Sequence, residues 1–325
     1  MKLCVVIPTW RRPSELARCL EGLGRQTRAA DGVILVVREN DEATQKFLET
    51  SDADRLTLSV TNVIEPGVVA ALNCGLAAAA EADIITFADD DTVPRPDWLE
   101  RIEGHFAADP CLGALGGRDE LHPPSMEAPQ ATVGKLRWYG RLTGNHHLGV
   151  GRAREVDVVK GANMSLRRAA LDHAHVDERL RGPGAQAHWE IDLCLAVKRR
   201  GWKLVYDPAV LVDHYPAERP EDDSRLGPVT GMTLEHVIHN ETYLLLKWLP
   251  WRRRIAAVTY WLLVGTRLAP GLLLLLERLA RDGDRRSVLR RYGAALRGRR
   301  GGARTFIGGR PEHSNVVSAH VRDLR

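Results

Sequence analysis

From residue 3 to residue 88, short apolar runs alternate with amphipathic stretches, and this alternation restricts the chain to an α/β fold. Strands are expected at 3–7, 33–37, 56–60 and Ile84–Ala88, and helices at 14–26, after Asp41 and at 67–80. Strands this uniformly apolar are buried on both faces, as in a mostly parallel sheet flanked by helices. Such sheets bind ligands outside the carboxyl ends of their strands. That rule gathers Pro8-Thr9-Trp10, Glu39-Asn40-Asp41 and Asp89-Asp90-Asp91 at one crevice.

Three consecutive aspartates at the end of an apolar strand repel one another, and a divalent cation bridging to phosphate oxygens relieves that repulsion. The competing reading is a cap for the helix announced by Pro94, Pro96, Asp97 and Trp98, which needs only one acid or Thr92. The chain has no GxGxxG after its first strand and no GxxxxGK[ST], so neither a Rossmann dinucleotide site nor a P-loop is supported. Phosphate must be held in another way.

Beyond residue 113 the pattern becomes mixed. Strand candidates at 113–117, 156–159 and 203–212 are separated by long polar loops of the kind that carry a second substrate. Residues 190–200 read as a helix stopped by Gly201, with Glu190 and Asp192 in its first turn. These acids either complement the helix dipole, worth about 0.3–1 kcal/mol each, or serve a site. His188-Trp189 directly before them speaks against a plain solvent-facing cap.

The 325 residues, 44% of them hydrophobic, have room for one large α/β domain or two smaller ones. Cys4, Cys19, Cys74, Cys111 and Cys194 are odd in number, lack CxxC spacing and read as reduced core residues of a cytosolic protein. Met1 leads almost directly into a strand, so no signal peptide is expected.

Charge is unevenly spread. Residues 251–325 hold 17 Arg, no Lys and 5 acids, a balance of +12; with a net charge of +4, residues 1–250 carry −8. The basic residues flank a greasy segment instead of interleaving with aromatics, so no nucleic-acid partner is expected, and the tail is matched to anionic headgroups of a membrane surface. Residues 255–276 are long enough to cross a bilayer, but Arg267 and Pro270 interrupt them and arginines stand on both sides. A re-entrant or interfacial helical hairpin fits better than a single span; the alternative is a buried helical pair completing the globular body. The expected organisation is a catalytic domain over 1–230, a helical membrane-associated segment over 231–300 and a loosely ordered basic tail over 301–325, placed at the cytoplasmic face of a membrane.

Four segments, in order, resemble the family 2 glycosyltransferases, inverting enzymes of the GT-A fold. They are Val5-Val6-Ile7-Pro8-Thr9-Trp10 with Arg12-Pro13, Phe87-Ala88-Asp89-Asp90-Asp91-Thr92 with Pro96-Asp97-Trp98-Leu99, Lys160-Gly161-Ala162-Asn163-Met164-Ser165, and His188-Trp189-Glu190-Ile191-Asp192-Leu193. The resemblance implies a GT-A fold with a C-terminal hydrophobic helical segment, a nucleotide-sugar donor, and a saccharide or lipid-linked acceptor. It also implies a divalent metal, Mn2+ or Mg2+.

Residue by residue, the resemblance places Pro8, Thr9 and Arg12 in the nucleotide-binding turn, with Asp41 or Glu39 gripping the nucleoside. Asp89 and Asp91 match the DXD pair, Asp91 as the direct metal ligand, while Asp90 either orients the ribose or lies behind the ligands. Gly161 and Asn163 fall in the loop bordering the sugar. Glu190 stands at the position of the general base; Asp192 is the alternative base or a helix anchor. His214 matches a histidine that approaches the metal or diphosphate, with an ordinary polar loop residue as the competing reading.

The implied reaction is an in-line displacement giving a β-linked product from an α-linked donor. The main rival is a polyprenyl-phosphate sugar synthase, followed by a metal-dependent phosphohydrolase, which usually has a nucleophilic Asp where this chain has Pro8-Thr9-Trp10. A catalytically silent, membrane-bound sugar-binding protein is a further reading. Trp138-Tyr139-Gly140 and residues 144–149 serve either the acceptor or the core, and 181–186 form either a lid or a flexible loop.

Overall fold

A computed structural model describes residues 1–50, 56–172, 175–217, 231–281, 284–309 and 321–323. In chain order, β1 (Leu3–Thr9), α1 (Pro13–Gly24), β2 (Gly32–Arg38), α2 (Glu42–Thr50), β3 (Leu58–Val63), α3 (Val68–Ala78) and β4 (Ile84–Ala88) form the anticipated repeating unit. Then come β5 (Thr92–Pro94), α4 (Trp98–Ala108), β6 (Leu112–Leu121), β7 (Lys135–Leu136), β8 (Leu142–Thr143) and β9 (Arg154–Glu155). The sheet is completed through β10 (Asn163–Arg167), α5 (Arg168–Leu171), α6 (Trp189–Arg199) and β11 (Lys203–His214). Among the described residues four helices follow, α7 (Gly231–Trp248), α8 (Trp251–Leu263), α9 (Leu272–Arg281) and α10 (Arg285–Ile307), and then β12 (Val321–Asp323).

The sheet runs β12-β3-β2-β1-β4-β10-β6-β11-β5. Strands β3, β2, β1 and β4 are parallel, β10 is antiparallel to both its neighbours, and β6 and β11 are parallel again. Period-two alternation along β1 feeds two cores. Leu3, Val5 and Ile7 join Leu16, Trp98 and Phe106 on one face. Cys4 and Val6 join Leu72, Trp189 and Leu193 on the other.

One strand expectation fails. Residues 156–159 form no strand: Val156, Val158 and Val159 are buried, but as irregular chain, with the Val158 amide on Gly134 O at 3.0 Å and the Val159 amide facing Cys194 Sγ at 3.4 Å. The strand instead is β10, where the polar Ser165 sits inside the sheet because its hydroxyl pairs with Thr86 Oγ1 at 3.0 Å. Cys4, Cys19 and Cys194 are buried, Cys74 is half-buried, and Cys111 is exposed, in contrast to its expected core position.

The C-terminal helices are built onto this body. Gly302 lets α10 press against α7, since a Cβ there would lie 2.5 Å from His239 O. Residues 255–276 are not one helix: α8 ends at Leu263, the chain turns across a Gly265–Pro270 bridge, and α9 returns from Leu272. No helix among the described residues is long and apolar enough to cross a membrane. Helix α10 continues to Ile307, into the stretch expected to be loosely ordered, and β12 pairs antiparallel with β3. Residues 310–320 and 324–325 of that tail lie outside the described residues.

Candidate active site

At the carboxyl ends of β1 and β4 a cavity of about 430 Å³ opens. Its floor comes from Pro8, Thr9, Asp89 and Asp90, one wall from α3, and the opposite wall from Lys160, Gly161 and Glu190. Trp10 and Arg12 also line it, with the Arg38 guanidinium stacked 4.4 Å from the Trp10 ring centroid.

The aspartates divide by environment. Asp90 is buried and accepts from Thr9 Oγ1 at 2.9 Å and Arg12 Nη1 at 3.0 Å. Burial pushes its pKa up to about 7, with Arg12 pulling against the rise and Asp91 adding to it. Asp91 Oδ2 accepts from the Ala217 amide at 3.0 Å, and Asp91 Oδ1 lies 3.2 Å from His214 Nε2. Asp89 is only half-buried and opens on the cavity.

His214, at the end of β11, is 1% exposed, and its Nδ1 lies 3.2 Å from Asp119 Oδ2. Burial works against a charged ring, but the bonds to Asp119 and Asp91 outweigh it and raise the pKa to about 9. Asp119 also pairs with Lys160, and this charge neutralisation holds its carboxyl well below the usual range despite burial.

Asp89, Asp91 and His214 each offer a ligand atom, all within 4.8 Å of one another. Two carboxylate oxygens and an imidazole nitrogen fit Mn2+ or Mg2+ chemistry, and of the three residues Asp89 lines the cavity.

Helix phase separates the two acids of α6. Residues two apart on a helix point roughly 200° away from each other. Trp189 is buried edge-on to Phe87, with ring centroids 5.9 Å apart. Glu190 then faces the cavity, its Oε1 3.4 Å from the Gly161 amide. Gly161 is required there because a Cβ would come 2.1 Å from the Trp189 ring. Asp192 turns away into the body and accepts from Lys247 Nζ at 2.8 Å, Trp248 Nε1 at 2.6 Å and the Asp177 amide at 2.9 Å.

Several expected site residues are placed elsewhere. Asp41 is fully buried and receives the Arg11 amide at 2.6 Å, the Thr44 amide at 3.1 Å and Thr44 Oγ1 at 2.7 Å, so it caps α2 and does not line the cavity. Glu39 is exposed and likewise outside the lining, where Arg38 and Glu65 are found. Asn163 spends its amide on Trp98 Nε1 at 2.9 Å, Arg118 O at 3.1 Å and Val210 O at 2.9 Å, locking β10 to its neighbours.

Among residues 144–149, His146 is a core residue with Nε2 2.9 Å from Val158 O. In 181–186, Gln186 accepts the Val69 amide at 2.9 Å and Gly184 O accepts the Val68 amide, which pins this loop over the start of α3. Sequence reasoning passed over Asp119, Lys160 and Glu65. Only Lys160 carried a signal, as the first residue of a recognised segment.

Comparisons with known proteins bear on the family and the fold. Residues 2–226 match the protein family described as "Glycosyltransferase like family 2". The pre-mycofactocin glycosyltransferase of Mycobacterium tuberculosis is 29% identical over 214 residues, covering 65% of this chain and 42% of that protein. The chain thus spans less than half of that relative. The glucosyl-dolichyl phosphate glucuronosyltransferase of Haloferax volcanii is 26% identical over 225 residues, covering 66% of this chain and 69% of that one. Among solved structures, a mannosyltransferase from Pyrobaculum calidifontis in complex with GDP-Man and Mn2+ superposes with a TM-score of 0.51 at 16% identity, covering 94% of this chain and 83% of that one. That likeness concerns the fold, which is the GT-A arrangement.

Proposed function

The chain belongs to the family 2-like glycosyltransferases, and from that premise we propose that it is a metal-dependent inverting enzyme moving a sugar from a nucleoside diphosphate to an acceptor hydroxyl. One observation carries this reading. The Glu190 carboxylate stands in the same cavity as Asp89 and Asp90, so a proton acceptor and a diphosphate-binding cluster share one space.

Thr9 and Arg12 fix Asp90 on the floor of the nucleotide side, and Asp119 fixes His214 beside Asp91. Asp89, Asp91 and His214 would hold a divalent cation, which would supply Lewis-acid neutralisation of the departing diphosphate. Glu190 takes the proton of the acceptor hydroxyl as its oxygen attacks the anomeric carbon from the face opposite the leaving group, which inverts the configuration. Lys160, tied to Asp119 at the cavity wall, adds a fixed positive charge where negative charge develops. The acceptor is a saccharide or a lipid-linked molecule.

Glu190→Gln tests the assignment. The account expects turnover to fall by about 10²–10⁴-fold with donor affinity unchanged. Full activity in that variant on a hydroxyl acceptor would remove Glu190 as base. Retained activity confined to a lipid phosphate, an acceptor already ionised, would move the chain to the polyprenyl-phosphate sugar synthase reaction.

A further inference from the structure

The α8–α9 hairpin exposes apolar surface that none of the described residues covers. On α8, Ile255, Val258 and Leu262 follow i, i+3, i+7 spacing and are 59%, 38% and 53% exposed. The turn continues the surface through Leu263, Val264 and Leu268, and α9 extends it through Leu272, Leu273 and Leu276, all exposed. The opposite sides are seated on the body: Ala257 lies against Gly140, the Arg299 guanidinium covers the Trp261 ring at 4.8 Å, and Leu275 is buried.

Exposed arginines border this surface, Arg252 before it, Arg267 at its tip and Arg281 at its end, within a segment whose sequence balance is +12. A second copy docking face to face would set like charges against one another. An anionic lipid surface neutralises them and receives the aliphatic side chains together.

The β7–β8 hairpin packs against the seated side of α8, where Gly140 meets Ala257. Arg253 on α8 donates to Trp138 O at 3.2 Å and to Arg137 O at 3.1 Å, and the rings of Tyr139 and Tyr260 lie 4.7 Å apart. Trp251 at the start of α8 stands one turn before Ile255, on the apolar side, and is 63% exposed. A large exposed indole on an apolar, Arg-bordered face suits a membrane-interface anchor. The loop is bonded in turn to the cavity wall: the Leu136 amide donates to Asp157 at 2.8 Å, three residues before Lys160.

We infer that the α8–α9 hairpin, with Trp251 at its border, lies in the headgroup region of an anionic phospholipid membrane without crossing it. This extends the proposed function, since it sets the enzyme at a surface where a lipid-linked acceptor resides, but the surface stands independently of the catalytic assignment.

The test is co-sedimentation of the full chain, without nucleotide, with phosphatidylcholine vesicles and with mixed phosphatidylcholine–phosphatidylglycerol vesicles. The chain pellets with the mixed vesicles, and raised salt weakens the binding. Leu262→Glu with Leu273→Glu, both exposed and therefore tolerated by the fold, lowers partitioning by at least about tenfold at an unchanged thermal midpoint. Trp251→Ala lowers it severalfold.

Failure to pellet with anionic vesicles, or pelleting of the double variant like the parent, overturns the inference. A concentration-dependent dimer abolished by the double variant, with no vesicle binding, assigns the face to a second copy instead. Unchanged partitioning of Trp251→Ala removes that indole from the docked surface.

Discussion

Asp119 Oδ2 lies 3.2 Å from Nδ1 of His214, and both side chains are about 1% exposed. A carboxylate accepting from Nδ1–H leaves Nε2, the atom facing Asp91, as the nitrogen available to a metal. Asp119 is outside the cavity lining and offers no ligand atom itself; through Nδ1 it orients the His214 ring.

Asp119→Asn keeps the volume and removes the charge. The expected result is a loss of about 10–100-fold in Mn2+ affinity, read by metal titration in the presence of nucleotide and independent of turnover. Unchanged metal affinity would reduce Asp119 to a partner of Lys160.

Asp90 gives a pH signature. Its folded-state pKa is raised to about 7, chiefly by burial, so the folded state holds a proton that the unfolded chain releases at lower pH. The stability from that proton is present at low pH and is lost as pH rises toward 7. Between about pH 5 and about pH 8, with EDTA present, the parent protein should lose about 2 kcal/mol more stability than Asp90→Asn. Denaturant unfolding at the two pH values measures this; parallel losses in both proteins would contradict the burial argument.

Asp192 and Glu190 should separate cleanly. Asp192→Asn removes the charge that Lys247 and Trp248 Nε1 contact, and destabilisation of about 1–3 kcal/mol is expected while turnover per folded molecule persists. Collapse of turnover in a stable Asp192→Asn protein would make it the base.

Strands β1, β2 and β4 were legible because they are buried on both faces and read as unbroken apolar runs. Residues 156–159 gave the same signal from irregular chain, since burial alone does not specify a ladder. In β10 the signal was hidden by Asn163 and Ser165, polar residues whose bonds are made by strands and side chains far along the sequence. The Asp89–Asp91 cluster announced itself by its place after a strand. The resemblance put Glu190 at the base position with Asp192 as the alternative; that Asp192 is bound by Lys247 and Trp248 of α7 is contained in no local pattern. Asp119 sits in Gly-Arg-Asp-Glu-Leu, which reads as a solvated edge until β11 is laid beside β6. Asp41 followed the crevice rule in sequence, yet its backbone partners at Arg11 and Thr44 absorb it.

The central claim is a metal-bridged nucleotide-sugar site, and thermal stabilisation of the full chain by UDP, GDP, dTDP and CMP, each with Mn2+ and again with EDTA, tests it most directly. The account predicts a shift with one diphosphate that disappears with EDTA and is absent in Asp91→Asn. No shift for any nucleotide in a folded sample, or a shift indifferent to both EDTA and Asp91→Asn, would contradict it.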